Sequence, residues 1–213
     1  LELATKYGVS VPKEFGFKKG MSLQSALDCF KVTLACMQKP DDVELVTKEL
    51  CQDFVGDYLE IRFAPQLHKG ASCEQIVEAA ISGLSANARL ILCGLYGEHP
   101  KILSKLVDIA GRYDKVVGID LAGGPLKSHN WKLKDYAEPF KKATRLDLGR
   151  TVHAAEGRSA MEIYQAIVFL NAQRIGHGTT LLDSRMVLNT IKDRNVCIEA
   201  CPTSNLHTGV IEQ

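Results

Sequence analysis

The chain has 213 residues, of which 46% are hydrophobic and 24% charged, so it can bury one globular core without being forced into two domains. A formal net charge of +1 predicts neither a nucleic-acid nor a membrane partner, and no segment approaches the roughly 20 uninterrupted apolar residues of a membrane helix. The seven cysteines are an odd, scattered number, and the first residues do not resemble a signal peptide, which favours reduced thiols in a cytoplasmic protein.

Two helices are predicted before the first strand, within residues 22–37 and 41–54. Beyond them, short β-rich runs alternate with helical patterns. The predicted strands cover residues 57–65, 90–95, 116–123, 150–156, 174–178 and 196–202. The helices between them are predicted within residues 72–84, 101–113, 159–170 and 183–195, with capping-box spacing at Ser72–Gln75 and Ser159–Glu162. No linker or low-complexity tract interrupts this pattern, so we expect a single domain over residues 1–213.

Strand–helix alternation predicts a parallel sheet with right-handed crossovers, either an open doubly wound sheet or a (β/α)8 barrel. A nucleotide-binding doubly wound sheet would carry G-x-G-x-x-G after an early strand, and GIDLAGGP does not match that motif. The strands instead alternate between an apolar face and a polar face, which suits a barrel lumen where a metal ion or polar ligand partners the charges. For Glu60 and Arg62 alone we favour a structural ion pair. The polar face comprises Glu60, Arg62, Asp120, His153 and Glu199.

His153 and Glu156 stand three residues apart where a predicted strand gives way to a helix, and His177 ends the next strand between two glycines. Barrel enzymes carry their chemistry at this end of the strands. A single histidine is more often structural than a ligand, but two at consecutive strand ends, beside a glutamate, predict a functional site. The remaining histidines occupy loop-like contexts and are interpreted as structural: His68, His99, His129 and His207.

Several other hydrolase classes do not fit this spacing. H-x-x-E is neither the H-E-x-x-H of helical zinc proteases nor the H-x-E with a later P-C-x-x-C of cytidine-type deaminases. The G-x-S-x-G of many serine hydrolases is absent from the sequence. Cys197 and Cys201 lie four residues apart on a predicted strand, which favours buried, unreactive thiols.

Five of these stretches together resemble the adenosine deaminase family of metal-dependent aminohydrolases. They are YLEIRFAPQLH, VVGIDLAG, TVHAAEGRSA, RIGHGTTLLD and CIEACPTSNLHTGVI, in the family's order. The resemblance covers essentially the whole chain. It implies an α/β fold, a (β/α)8 TIM barrel of the metal-dependent hydrolase type, and hydrolytic deamination of adenosine to inosine and ammonia in purine salvage.

The resemblance also implies roles for individual residues. His153 matches a zinc ligand, Glu156 the catalytic glutamate that protonates the purine ring nitrogen N1, and His177 the histidine that positions the attacking hydroxide. Gly123 matches a glycine whose backbone contacts the purine. One Zn²⁺ per active site and a small purine nucleoside substrate are therefore expected, with no nucleic-acid or membrane partner. The supporting acids of the lumen are matched by Asp120 and Glu199.

The sequence departs from the family's pattern in several places. Neither the H-x-H pair of the family's first strand nor the aspartate pair of its last is found. The six predicted strands would then be the second to seventh of eight, with the other zinc ligands outside this chain. Ala155 stands where the family usually has glycine, and Gly124–Pro125 replaces an acidic pair. The alternatives are a catalytically inactive, truncated member that acts as a binding scaffold, and a deaminase of adenine, AMP or N6-methyl-AMP.

Overall fold

The computed structural model describes residues 2–13, 15–16 and 18–211, without the side chains of residues 23, 24 and 27. The remaining positions of the predicted domain, residues 1, 14, 17, 212 and 213, lie outside this description. The strands are β1 Leu59–Phe63, β2 Ala88–Leu95, β3 Val116–Ala122, β4 Gly149–Ala154, β5 Arg174–His177 and β6 Cys197–Glu199. The helices are α1 Glu2–Tyr7, α2 Leu23–Cys36, α3 Pro40–Asp53, α4 Cys73–Ser82, α5 Pro100–Ala110, α6 Ala137–Arg145, α7 Met161–Leu170, α8 Arg185–Asp193 and α9 Pro202–His207.

The six strands form one parallel sheet in the order β1-β2-β3-β4-β5-β6, so all six predicted strands are confirmed. Neighbouring strands in the sheet are neighbours in the chain: Leu59 pairs with Ala88, and Thr151 pairs with Arg174. A doubly wound sheet would reverse its strand order at a switch point. The sequential order is that of a (β/α)8 barrel and confirms the predicted fold class, with six of its strands in the described residues.

The sheet is curled, and two ion pairs join strands that a flat sheet would keep far apart. Arg62 on β1 lies 2.8 Å from Glu199 on β6, measured from Nη2 to Oε2. Arg174 on β5 lies 2.6 Å from Glu60 on β1, measured from Nη1 to Oε2. In a flat sheet, β1 and β6 would stand about 24 Å apart, at about 4.8 Å per strand. The polar face of the strands therefore lines the concave side, as the alternation predicts.

The core lies on the opposite face of the sheet, where the helices pack. The apolar positions of β2 to β5 are mostly buried there, and those of β1 and β6, which include Ile61, Phe63 and Ile198, are partly buried against the same core. Helices α4 to α8 complete the core, and each packs one apolar stripe against the sheet. The cluster includes Ile76, Leu92, Leu106, Ile119, Phe140, Val152, Ile163, Ile175 and Val187.

Two features of the helices differ from the sequence-based expectation. Helices α6 and α9 were not predicted: α9 begins at Pro202, where the predicted last strand ends, and Pro139 interrupts the pattern of α6 but lies in its first turn, where proline removes no helical hydrogen bond. The capping box at Ser72–Gln75 is confirmed, with both reciprocal bonds present. The one predicted at Ser159–Glu162 is wrong: α7 begins at Met161 after Ala160, and the Ser159 hydroxyl accepts the N–H of Met161 and not that of Glu162. Glu162 accepts hydrogen bonds from Ala155 and Arg158 instead.

The cysteine interpretation was correct in part. All seven cysteines lie within the described residues, and none pairs with another. The prediction that Cys197 is buried is wrong, because β6 pairs with β5 alone among the described strands and its Cys197 is exposed. Cys201 is half-buried. No helix in the described ranges has the length and apolar character needed to cross a bilayer.

Candidate active site

His153, Glu156 and His177 come together at the carboxyl ends of β4 and β5. The ring centroids of His153 and His177 are 5.2 Å apart, in an edge-on arrangement. Oε1 of Glu156 lies 3.5 Å from Nδ1 of His177. The Glu156 side chain is only 4% exposed, so its carboxylate faces this cluster and not the solvent. The three residues that the spacing singled out therefore converge on one small region.

The backbone of this region adopts unusual conformations. Ala155 has a φ of +57° and His177 a φ of +69°, so both non-glycine residues occupy the left-handed region. Such conformations cost about 1–2 kcal/mol in an L-residue and are typical of functional sites. Ala155 turns the chain sharply at the end of β4, which directs Glu156 back toward His177. The glycine expected at position 155 from the family pattern would adopt this conformation without strain.

Asp120 on β3 orients His153. Its Oδ1 is 3.1 Å from Nδ1 of His153, and its side chain is completely buried. Burial alone would raise the pKa of Asp120, but His153 and Arg62 outweigh it and hold that pKa below its ordinary value. Burial would likewise lower the pKa of His153, but the Asp120 charge and hydrogen bond raise it. The pair therefore stabilises a carboxylate beside an imidazole whose Nδ1 is engaged.

Glu199 is connected to His153 indirectly, through Arg62 and then Asp120. Arg62 donates from Nη1 to Asp120 at 3.0 Å and from Nη2 to Glu199 at 2.8 Å. Glu199 also accepts a hydrogen bond from Arg174, which in turn reaches Glu60. Although burial alone would lower the pKa of Arg62, the two acids beside it raise that pKa. The lumen acids thus form a connected network of ion pairs beneath the site.

His177 has a hydrogen-bond partner on a later element. Nδ2 of Asn205, a buried residue of α9, lies 3.0 Å from Nδ1 of His177. With Nδ1 as the acceptor, the proton of the neutral ring is on Nε2. Burial lowers the pKa of His177, and the nearby His153 acts in the same direction against the opposing charge of Glu156. These contacts favour a neutral imidazole at this position.

Gly123 follows β3 at the same edge of the sheet. Its φ is +79°, and a Cβ atom built on it would meet no heavy atom within 4 Å. The space beside its backbone is therefore open. The next residue, Gly124, is closely approached by Arg158, whose Nη1 would lie 2.8 Å from a Cβ placed there. Arg158 therefore borders this loop, a contact that its distance in sequence did not indicate.

Several residues of the site were not found by sequence reasoning. Arg174 stands at the start of a short strand, where it reads as a surface residue, and Asn205 is 28 residues from the histidine that it contacts. Tyr96 donates its hydroxyl to the backbone oxygen of His153 at 3.0 Å. The period-two alternation of β5 places Arg174 on the same face as Gly176, which is the one available signal.

The donor set fits one zinc ligand. The bond to Asp120 uses Nδ1 of His153, which leaves Nε2 for a metal, and a carboxylate behind a ligating histidine is the usual arrangement. Across residues 2–13, 15–16 and 18–211, no group of three or more His, Cys, Asp or Glu side chains is placed to hold a metal ion. A catalytic zinc site normally has three protein ligands. The described residues therefore form no complete zinc site, although the geometry of His153 is compatible with one ligand of such a site.

Comparison with known proteins agrees with the geometry. A family model described as adenosine deaminase matches residues 1–213. An adenosine deaminase of Vibrio atlanticus is 30% identical over 236 residues, covering 100% of this chain and 70% of that protein. One from Clostridium botulinum is 33% identical over 207 residues, covering 90% of this chain and 61% of that protein.

Solved structures show the same fold. An adenine deaminase from Arthrobacter aurescens superposes with a TM-score of 0.85 at 21% identity, over 100% of this chain and 69% of that one. The Arabidopsis N6-mAMP deaminase gives 0.78 at 28% identity, over 90% and 62%. The chain thus spans 61 to 70% of the length of these four relatives. The chain belongs to the adenosine deaminase family.

Proposed function

We propose that the protein catalyses the zinc-dependent hydrolytic deamination of a 6-aminopurine in the cytoplasm, with adenosine as the substrate and inosine and ammonia as the products. One observation carries the proposal: Glu156, His177 and the His153–Asp120 pair converge at neighbouring strand ends. Membership of the family supplies the reaction class. Residues 1–213 would be one part of a single catalytic barrel domain.

His153 would hold the zinc through Nε2, with its ring orientation set by Asp120. Zinc, when bound, makes water available as a nucleophile at neutral pH. The remaining ligands would come from outside residues 1–213. Asp120 fixes the tautomer of His153 because it accepts the Nδ1 proton. Arg62 supports Asp120 in turn, since it holds the second carboxylate oxygen.

Glu156 would carry a proton from the attacking water to N1 of the purine as the water oxygen bonds to C6, which lets the ring accept the developing electron pair. The proton left on that oxygen would then pass to the amino group as the C6–N bond breaks and ammonia leaves. Its buried carboxyl beside His177 suits this role, because a positioned acid accelerates such a step by about 10²–10⁴-fold. His177 would orient the attacking water through Nε2, since Asn205 engages its Nδ1. The open space beside Gly123 would receive the purine edge, with the backbone as its hydrogen-bond partner.

Other 6-aminopurines compete with adenosine as the proposed substrate. Solved relatives include an adenine deaminase and an N6-mAMP deaminase. The loop after β3 carries Gly124–Pro125 in place of an acidic pair, and Arg158 packs against Gly124. Adenine, AMP and N6-methyl-AMP are therefore the competing substrates.

The test is hydrolysis at C6 by the full-length protein with zinc, followed as release of ammonia from adenosine, adenine and AMP and as release of methylamine from N6-methyl-AMP. We expect the highest kcat/KM on adenosine, and a loss of about 10²–10⁴-fold in kcat for Glu156→Gln. Glu44→Gln, at an exposed site on α3, is the matched control and should leave the rate unchanged. Absence of turnover on all four purines would refute the proposal and favour a non-catalytic scaffold.

A further inference from the structure

The peptide groups around Glu156 are held by side chains from two other elements. Glu156 follows Ala155, whose left-handed backbone is strained by about 1–2 kcal/mol. Such a conformation persists only where neighbouring contacts enforce it. The contacts that enforce this one come from Glu162, in the first turn of α7, and from Thr179, two residues beyond the end of β5.

Thr179 bonds to the chain on both sides of Glu156. Its N–H and its hydroxyl donate to the carbonyl oxygen of Ala155 at 3.0 and 2.9 Å. Its hydroxyl oxygen also accepts the N–H of Gly157 at 2.9 Å. One hydroxyl group therefore joins the peptide before Glu156 to the peptide after it, and valine could not make either of its bonds.

Glu162 and Arg158 hold the remaining groups. Oε2 of Glu162 accepts the N–H of Ala155 at 2.8 Å. Nε of Arg158 donates to both oxygens of Glu162, at 2.9 and 3.0 Å, and its Nη1 donates to the carbonyl oxygen of Glu156 at 3.3 Å. Glu162 therefore bonds to the turn and makes no reciprocal capping bond at the start of α7, where the Ser159 hydroxyl accepts the N–H of Met161 at 3.3 Å.

We propose that Thr179 and Glu162 are positioning residues for Glu156, which fix its carboxyl group against His177 through the backbone of the turn. The inference rests on the proposed function, in which Glu156 transfers the proton. Neither residue touches the reacting atoms in this scheme. Their effect is geometric: a catalytic group displaced by about 1 Å can lose about 10²-fold in rate.

The experiment compares Thr179→Val with Thr179→Ser in the full-length zinc-loaded protein. Valine keeps the shape and the backbone N–H but removes the hydroxyl, whereas serine retains it. We expect Thr179→Val to lower kcat on the preferred purine by about 10–10²-fold with KM changed less than about twofold, and Thr179→Ser to recover most of the rate. Amide exchange at Gly157 should accelerate in the valine variant and not in the serine variant.

A coupling measurement separates positioning from general loss of structure. In a Glu156→Gln background, Thr179→Val should lower the residual rate less than about twofold, because the group that it positions is already gone. Glu162→Gln is a second variant that keeps an acceptor oxygen and weakens the Arg158 pair, and we expect a smaller loss in kcat for it. Glu162→Gln replaces Thr179→Val as the test if the valine variant does not fold.

Distinct outcomes overturn the two ideas. An active wild type in which Thr179→Val, or Glu162→Gln in its place, keeps full kcat would refute the positioning role and leave the proposed function standing. The positioning role would also be refuted if Thr179→Val lowered kcat by the same factor in the Glu156→Gln background as in the wild type. A wild type that deaminates no 6-aminopurine removes the proposed function and the inference with it.

Discussion

The carboxylate of Asp120 bridges His153 and Arg62 within the buried centre of the sheet. One oxygen is 3.1 Å from Nδ1 of His153, and the other accepts Nη1 of Arg62 at 3.0 Å. Each side chain limits the freedom of the next, so the imidazole orientation depends on an arginine that it does not touch.

Asp120→Asn should weaken zinc binding by the full-length protein by about 10–100-fold, the usual effect of losing the acid behind a ligating histidine. The amide can still accept a hydrogen bond but has no charge to stabilise the imidazole. Zinc affinity measured by competition with a chelator checks the prediction. Asp114→Asn, at an exposed turn, is the control, and equal zinc affinities for the two variants would contradict it.

Arg62→Met should lower the free energy of unfolding by about 2 kcal/mol, measured by denaturant titration. Removing one partner of a fully buried pair costs about 3–5 kcal/mol. The smaller value applies because Arg62 is 29% exposed, and because Asp120 and Glu199 each keep another partner. Lysine at position 62 should recover less than half of the loss, since it lacks the planar fork of donors.

Arg112→Met provides the matched control for this prediction. Arg112 also pairs with a glutamate, Glu74, but the two side chains are 56% and 37% exposed. An exposed pair of this kind contributes about 0–1 kcal/mol. Equal losses in unfolding free energy for the two methionine variants would show that Arg62 contributes no more stability than an exposed ion pair does.

Ala155→Gly should stabilise the protein, because glycine accepts the φ of +57° without strain. The relief of about 1–2 kcal/mol is offset in part by the greater freedom of glycine in the unfolded chain, so we expect a net gain below about 1 kcal/mol. The rise in Tm should therefore stay below about 2–4 °C. Asn171→Gly, at a left-handed position that asparagine tolerates better, should gain less. A lower Tm for Ala155→Gly would disprove the strain.

Acid should weaken the attachment of α1 to α3 through Asp42. This buried carboxylate accepts Lys6 Nζ at 2.8 Å and the Tyr7 hydroxyl at 2.6 Å. Burial alone would raise its pKa, but these two donors outweigh it and lower that pKa from the ordinary 3.8. The stabilisation is therefore fully present above about pH 4 and is lost as the pH falls through the lower folded value.

The measurement is the difference in unfolding free energy between wild type and Asp42→Asn at several pH values. We expect the wild type to be the more stable near pH 7, with the difference shrinking as the pH falls below 3.8. A difference that stays constant to pH 3 would show that the charge of Asp42 contributes nothing.

The sequence predicted the sheet well because β-rich runs alternate regularly with helical patterns, and β1, β3, β4 and β6 also carry a period-two signal. That alternation separated Glu60, Arg62 and Asp120 from the apolar face, and the structure places them in one connected network. The convergence of His153 with His177 was also predictable, because parallel neighbours end at the same edge of the sheet. Local pattern and simple topology were sufficient for these features.

Partners contributed by distant elements were not predictable in this way. Glu162 has the spacing of a helix cap, yet its carboxylate bonds to Ala155. From the sequence, the Glu162 carboxylate could accept an N–H at the start of α7 or one in the turn before it, and only the fold decides between them. Asn205 reaches His177 from α9, and no pattern within either segment indicates that contact. The prediction that Cys197 is buried rested on its position in a predicted strand, whereas its place on the last strand of the described sheet exposes it.

The strictly sequential order of the strands bears on how the chain acquires its structure during synthesis. Leu59 pairs with Ala88 and Arg174 with Cys197, so each strand finds its partner in the segment made just before it. Closing such short loops is entropically easier than joining remote segments. Each strand and its helix can therefore dock as they leave the ribosome, whereas the ion pairs of β1 with β5 and β6 can form only after those later strands have been made and the sheet has curved.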